Sequence, residues 1–354
     1  MYELNEKIRD LRPYEPSKNE YSIKLDSNES FLRVPEYVLG EAMRKLESLQ
    51  YNRYPDPTAD ALCEAYANYY GLNTENVAAG NGSDELINII CGGFLMSGEK
   101  YAVFAYDFSM YNFYAHLAGA EAVVIPQNSD YTVDVDKVIS VCQNEKVRML
   151  IFSNPCNPTS IGINREEVRR IITSLPDTLV VLDEAYMDFW DQSLLSEVND
   201  YDNLIILKTL SKAFGLAGLR CGFAVANKRL TDIIKAIKSP FNVNSLTQAF
   251  GAVVLKHKAE SKCAFRQIIQ STAELQEAFD KLSEKYPGAM TVLKSNTNFI
   301  TIKMNNAANA FLYLKEQGII IRYFGAFIRI TAGNRSENAQ LIKFFENFLE
   351  ENKE

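Results

Sequence analysis

From about residue 77 onward, short apolar runs alternate with stretches whose apolar positions recur at three- and four-residue spacing. The runs Val77–Gly80, Tyr101–Ala105, Ala122–Pro126, Val147–Ser153, Leu179–Ala185, Asn203–Thr209 and Arg220–Ala226 read as strands, and the stretches around Glu85–Leu95, Met110–Gly119 and Arg165–Leu175 as helices. Such alternation predicts an α/β fold with a mostly parallel central sheet flanked by helices, its functional groups gathered where strands end. Upstream, Glu36–Leu49 and Ala59–Tyr70 have the helical period, and Gly71 stands where a left-handed cap would end the second helix. A long helical region from about 228 to 286 is broken at Ser239-Pro240, because proline cannot continue a helix. The tail then reads β-α-β-β-α. The expected organisation is an N-terminal arm over 1–30 that packs against the small domain or a dimer partner, a large domain over 31–256 and a smaller α+β domain over 257–354, joined by a helix rather than a flexible tether.

A chain of 354 residues exceeds one ordinary core, and 47% apolar with 23% charged residues is enough to close a buried sheet. No apolar run approaches the roughly 20 residues of a membrane span, and the charged start is unlike a signal peptide, so a cytoplasmic protein is expected. Thirty-seven basic against 45 acidic residues give −8 without a basic cluster, which argues against nucleic acid as a partner. The six cysteines are scattered with no paired spacing, so neither a zinc site nor a disulfide framework is expected. Two histidines, His116 and His257, leave little room for a Ser-His-Asp triad or a histidine-rich metal site. Chemistry must then run on Lys, Asp, Tyr, Arg or a cofactor.

Three segments carry candidate chemistry. Ala79-Gly-Asn-Gly-Ser-Asp-Glu85 lies between a strand and a helix, and serves either as a capped turn or as an anion cradle of free amides. Asp183 ends an apolar strand, where a carboxylate is costly to bury without a cation facing it; a metal aspartate is the other reading. In Leu207–Arg220, Lys212 is flanked by small and apolar residues, the setting of either a nucleophilic amine or a solvated surface lysine.

Together, Asn154-Pro-Cys-Asn-Pro-Thr159, Asp183-Glu-Ala-Tyr186 and Ser211-Lys-Ala-Phe-Gly-Leu-Ala-Gly-Leu-Arg220 resemble fold-type-I pyridoxal-phosphate aminotransferases, in the right order over nearly the whole chain. Asn52-Arg-Tyr-Pro-Asp-Pro57, Gly80–Glu85, Lys238–Gln248 and the closing Ile319–Arg322 and Ile328–Gly333 are similar to histidinol-phosphate aminotransferases. The resemblance implies pyridoxal 5′-phosphate as cofactor. It assigns Lys212 to covalent attachment and proton transfer, Asp183 to the ring nitrogen, and Asn157 and Tyr186 to the ring hydroxyl. The phosphate would lie among Gly82, Ser83, Asp84, Ser211 and Arg220, with Tyr54 reaching in from a second subunit of a homodimer, and Phe108 would stack on the ring. Arg329 would bind the substrate's carboxylate, and Tyr14 and Arg322 would lie around its phosphate. For Arg322 a surface strand-end arginine is the other reading.

The implied reaction transfers an amino group between L-histidinol phosphate and 2-oxoglutarate, a step of histidine biosynthesis. Neighbouring readings are an aromatic-amino-acid aminotransferase and a threonine-phosphate-type decarboxylase, which share the cofactor chemistry. One departure stands out. The family's Asn-Pro-Thr-Gly is here Asn157-Pro-Thr-Ser160, with glycine delayed to Gly162, so a shifted turn is expected if that glycine needs positive φ.

Overall fold

The computed structural model describes residues 2–13 and 20–352. After strand β1 (Ile23–Lys24), helices α1 (Glu36–Glu47) and α2 (Asp60–Tyr70) form on the expected apolar periods, and α2 stops at Gly71 with φ 74°. Then come β2 (Val77–Gly80), α3 (Ser83–Phe94), β3 (Lys100–Phe104), α4 (Met110–Leu117), β4 (Glu121–Ile125), α5 (Val135–Asn144), β5 (Met149–Ser153), α6 (Arg165–Ser174), β6 (Leu179–Asp183), β7 (Leu204–Thr209) and β8 (Gly222–Ala226). These strands make one sheet of order β2-β8-β7-β6-β5-β3-β4, parallel from β7 to β4, with β8 antiparallel to both neighbours.

The helical region is α7 (Lys228–Ile237), α8 (Ser245–Lys256) and α9 (Lys258–Lys285), broken where Pro240 requires. Asn227 and Asn244 cap α7 and α8 by accepting from amides three residues on. Both faces of the sheet are covered, as parallel sheets demand. Leu150, Phe152, Val180, Leu182, Leu204 and Ile206 face one core with Leu62 of α2, Val138 of α5, Ile171 of α6 and Val254 of α8. The alternate residues Ile151, Val181, Ile205, Leu207 and Ala224 face the other, with Ile87 of α3, Tyr111 of α4 and Ile234 of α7. A period of two along fully buried strands is thus satisfied twice.

A second unit follows: β9 (Thr291–Leu293), β10 (Phe299–Lys303), α10 (Ala307–Glu316), β11 (Ile319–Ile320), β12 (Arg322–Tyr323), β13 (Phe327–Thr331) and α11 (Arg335–Glu351). Its antiparallel sheet runs β12-β13-β10-β9, and α11 opens with a capping box between Asn334 and Glu337. The arm joins this unit: β1 pairs in parallel with β11, and Ile23 and Leu25 lie in its core beside Phe279, Ile302, Ile328 and Phe345. Burying two such side chains contributes about 2 kcal/mol each, which offsets the ordering of a two-residue strand. Helix α8 ends at Lys256 and α9 begins at Lys258, and the change of core comes within α9. Phe265 and Ile268 of α9 pack with the large sheet, and Leu275, Phe279 and Leu282 with the small one. Among the described residues, no helix is long and apolar enough to cross a membrane.

Candidate active site

Strands β5, β6 and β7 end side by side, and the loops that leave them, with those after β2 and β3, wall a cavity of about 450 Å³. It is lined by Ser83, Asp84, Phe108, Asn157, Asp183, Tyr186, Ser211, Lys212, Arg220 and Arg329, so ten predicted residues from seven segments converge.

Asp183, 4% exposed, occupies the floor. Its Oδ2 accepts from the Tyr111 hydroxyl at 2.8 Å and its Oδ1 from the Ala185 amide at 3.0 Å. It makes no ion pair among the described residues, and burial pushes its carboxyl up to about 6, against the pull of those two donors. Tyr186, also buried, accepts from Asn28 Nδ2 at 2.8 Å and stands edge-on to Phe299. Lys212 Nζ donates to the Ser27 carbonyl at 3.0 Å and lies 5.9 Å from the centre of the Tyr186 ring.

The loop after β2 becomes α3 at Gly82, whose φ of 85° needs glycine. No side chain caps α3, and Ser83 and Asp84 of its first turn line the cavity. A Cβ at Gly82 would stand 2.6 Å from Arg220 Nη2, and one at Gly222 would stand 2.5 Å from the Gly82 carbonyl carbon and the Ser83 nitrogen. Two backbones and a guanidinium are therefore pressed together at this corner. Arg220 Nη2 holds Asp84 at 3.2 Å, and the Ser211 hydroxyl accepts from Thr209 Oγ1 at 2.9 Å.

At the opposite end, Arg329 is buried in β13. Nη1 donates to Asn157 Oδ1 and Nη2 to the Asp26 carbonyl at 2.6 Å, while Nε has no partner. Burial and the repulsion of Arg322 bring its pKa down to about 10, so it remains a cation at neutral pH.

The remaining predicted residues stand apart. Arg322 pairs in register with Arg329 across β12 and β13, so the two share a face, but Arg322 is exposed and does not line the cavity. Of the two readings offered for Arg322, its exposure on the edge strand β12 is that of a surface strand-end arginine. Tyr54 is 82% exposed, stacked on Phe241 and outside the cavity. Tyr14 lies outside the described residues. The turn at Ser160 is not shifted: the serine itself takes φ 66°, fully buried, with its amide bonded to the Cys156 carbonyl at 2.8 Å. Asn154 pins the same loop through two bonds to the Ile163 backbone, and Asn157 keeps its place in the cavity.

Four residues not anticipated from the sequence belong to the site: Tyr111 beneath Asp183, Asn28 behind Tyr186, Thr209 behind Ser211, and Asp107. Asp107 follows β3, accepts from the Ser153 amide at 3.1 Å and from the Ser153 hydroxyl, and is pushed up to about 7 by burial.

Comparison with known proteins gives this geometry a lineage. Residues 21–345 match the family model "Aminotransferase class I and II". The chain is 38% identical to a histidinol-phosphate aminotransferase of Clostridium kluyveri over 98% of both chains. It is 39% identical to one of Clostridium novyi over 95% of this chain and 94% of that one. Among solved structures, the histidinol-phosphate aminotransferase of Sinorhizobium meliloti in complex with pyridoxal-5′-phosphate superimposes with a TM-score of 0.88 at 22% identity, over 99% of this chain and 98% of that one. The fold, the converging strand ends and the full-length matches agree: the chain belongs to the class I and II aminotransferase family.

Proposed function

We propose that this aminotransferase, as a cytoplasmic homodimer, uses pyridoxal phosphate to move an amino group from L-histidinol phosphate to 2-oxoglutarate, a step of histidine biosynthesis. The observation that carries the choice of substrate is the full-length likeness, at 38% and 39% identity, to histidinol-phosphate aminotransferases.

The cavity suits the cofactor on its own evidence. Uncapped α3 amides beside Arg220 and Ser211 form an anion cradle for the phosphate. Asp183, buried without a cation, fits a protonated ring nitrogen. Phe108 would cover the ring, Asn157 and Tyr186 would hold its hydroxyl, and Lys212 supplies the amine that anchors it. When bound, the cofactor contributes an aldehyde that condenses with amines and a ring that accepts the electrons released at the substrate carbon.

Lys212 Nζ would hold the cofactor and, as a free amine, would take and return the proton at the substrate carbon. The Ser27 carbonyl, 3.0 Å away, gives the free amine a resting partner. Arg329 receives the anionic end of each substrate, with its unpaired Nε as a ready donor. Tyr54, exposed on its own chain, is available to complete a partner's phosphate cradle, which supports the dimer. Cysteines that form no disulfide fit the cytoplasm.

The test is the absorbance spectrum of the purified protein with pyridoxal phosphate, before and after L-histidinol phosphate is added without any oxo acid. A shift of the cofactor band that 2-oxoglutarate reverses is the expected result. A band that responds to phenylalanine and not to histidinol phosphate would move the substrate to the aromatic amino acids.

A further inference from the structure

A chain of hydrogen bonds beneath the cavity links residues that are far apart in sequence. The Asp107 carboxylate gathers three donors: the Phe108 amide at 2.8 Å, the Ser153 amide at 3.1 Å and the Ser153 hydroxyl. Ser153 Oγ in turn accepts the Asn157 amide at 3.0 Å, and Asn157 Oδ1 accepts from Arg329 Nη1. Phe108, Ser153, Asn157 and Arg329 line the cavity, whereas Asp107 does not. We propose that Asp107 is a positioning residue of the reaction, which acts through Ser153 to fix Asn157 and Arg329 at the substrate end and through the Phe108 amide to hold the ring that covers the cofactor.

The direction of the bonds makes this specific. A serine hydroxyl has a single proton, and Asp107 takes it, so a lone pair of Ser153 Oγ is left facing the Asn157 amide. The loop from Asn154 to Ser160 then has a fixed entry, and Asn157 presents its oxygen to Arg329. Burial raises the Asp107 carboxyl to about 7, so above that pH it is ionised, only accepts and orients all three donors, and the kinetics are read at about pH 8. An asparagine offers one oxygen for three donors, and its amide group would compete with the Ser153 hydroxyl. The inference rests on the aminotransferase reading of the cavity, but not on the identity of the amino donor.

The test compares Asp107→Asn, Ser153→Ala and the double variant, all as holoenzyme, with whichever donor the wild-type enzyme turns over. Loss of one charge-assisted bond in the relay predicts a rise in KM of about tenfold in each single variant, with kcat changed less, and a double variant no worse than the poorer single. In the cofactor-free protein, backbone hydrogen exchange over residues 153–160 should speed up in both. Should Asp107→Asn not fold, Ser153→Ala carries the same KM and exchange readouts alone. A KM within about twofold of wild type in the folded variants, or penalties that multiply in the double one, would overturn the relay even if melting temperatures fell. A wild-type enzyme inert toward histidinol phosphate but active on another donor would defeat the substrate assignment and leave this test intact.

Discussion

Replacing Asp183 with asparagine should stabilise the cofactor-free protein while destroying its activity. The carboxyl is 4% exposed, and burial moves it from an ordinary value of 3.8 up to about 6. A folded value above the unfolded one means that the native state holds its proton over a window where the unfolded chain has lost it. Stability is therefore greatest below about pH 4 and falls as pH rises through about 6, after which the penalty is constant. The gap between the two values corresponds to roughly 3 kcal/mol at neutral pH. Asparagine removes the charge, keeps an oxygen for the Ala185 amide, and meets a Tyr111 hydroxyl that can turn to accept. At pH 7.5 the variant should gain about 2 to 3 kcal/mol, seen as a melting temperature several degrees higher, and the gain should shrink to about 1 kcal/mol near pH 4.5 and vanish below about pH 4. Turnover should fall about a hundredfold or more, because a neutral amide cannot balance a protonated ring nitrogen. The assay is thermal unfolding of cofactor-stripped wild type and variant at several pH values, beside steady-state kinetics of the reconstituted proteins. A variant that melts below wild type at pH 7.5, or above it by the same margin at every pH, would refute the argument.

Other consequences follow from the same packing. Gly222→Ala sets a Cβ against the backbone of Gly82 and Ser83, which cannot swing aside, so a loss of about 1 to 3 kcal/mol in urea unfolding should accompany weaker cofactor binding in an absorbance titration. Ser160 already pays for φ 66°, so Ser160→Gly should stay within about 1 kcal/mol of wild type in the same unfolding assay, and β-branched Ser160→Val should lose more. Five cysteines are buried, and burial raises Cys63 to about 11 and Cys91 to about 12, whereas Cys263 is exposed. A thiol reagent should thus titrate one group per native chain and six after denaturation; a second fast group would contradict the packing.

What the sequence disclosed is what neighbours in sequence can encode. The strands β5 to β8 are short apolar runs, and Lys212, Asp183 and Asn157 stand within a few residues of a strand end, so pattern and motif found them together. Helix α5 does not figure in the sequence reading, although Asp134 caps it, because its apolar positions stand among polar ones. Tyr111 looked like one more apolar residue on a helix face; only the fold sets its hydroxyl under Asp183, 72 residues away. Asn28 lies in a segment with no period at all, yet it bonds Tyr186 and Thr331. Asp107 needed a partner 46 residues downstream to show its use. For Arg322 the strand follows the pattern, but edge position, not sequence, decides its exposure.

The two ends of the cavity rest on different foundations, and this bears on how the chain divides its work. The end proposed for the phosphate is backbone: Gly82 and Gly222 press together, α3 starts there, and Ser211 follows a central strand of the large sheet. Such an end moves only if the sheet moves. The other end is a junction of side chains. Arg329 comes from the small sheet, reaches Asn157 of the large unit 172 positions away, and reaches the Asp26 carbonyl of the arm 303 positions away. Those contacts join three parts of the chain that pack in different cores, so their geometry depends on how the cores sit against each other. An anchor that must hold a cofactor through many turnovers is served by the first construction. A grip that must admit and release two different anionic substrates in each cycle is served by the second, because a guanidinium bound by two partners and still carrying a free N–H can exchange ligands without disturbing the sheet beneath.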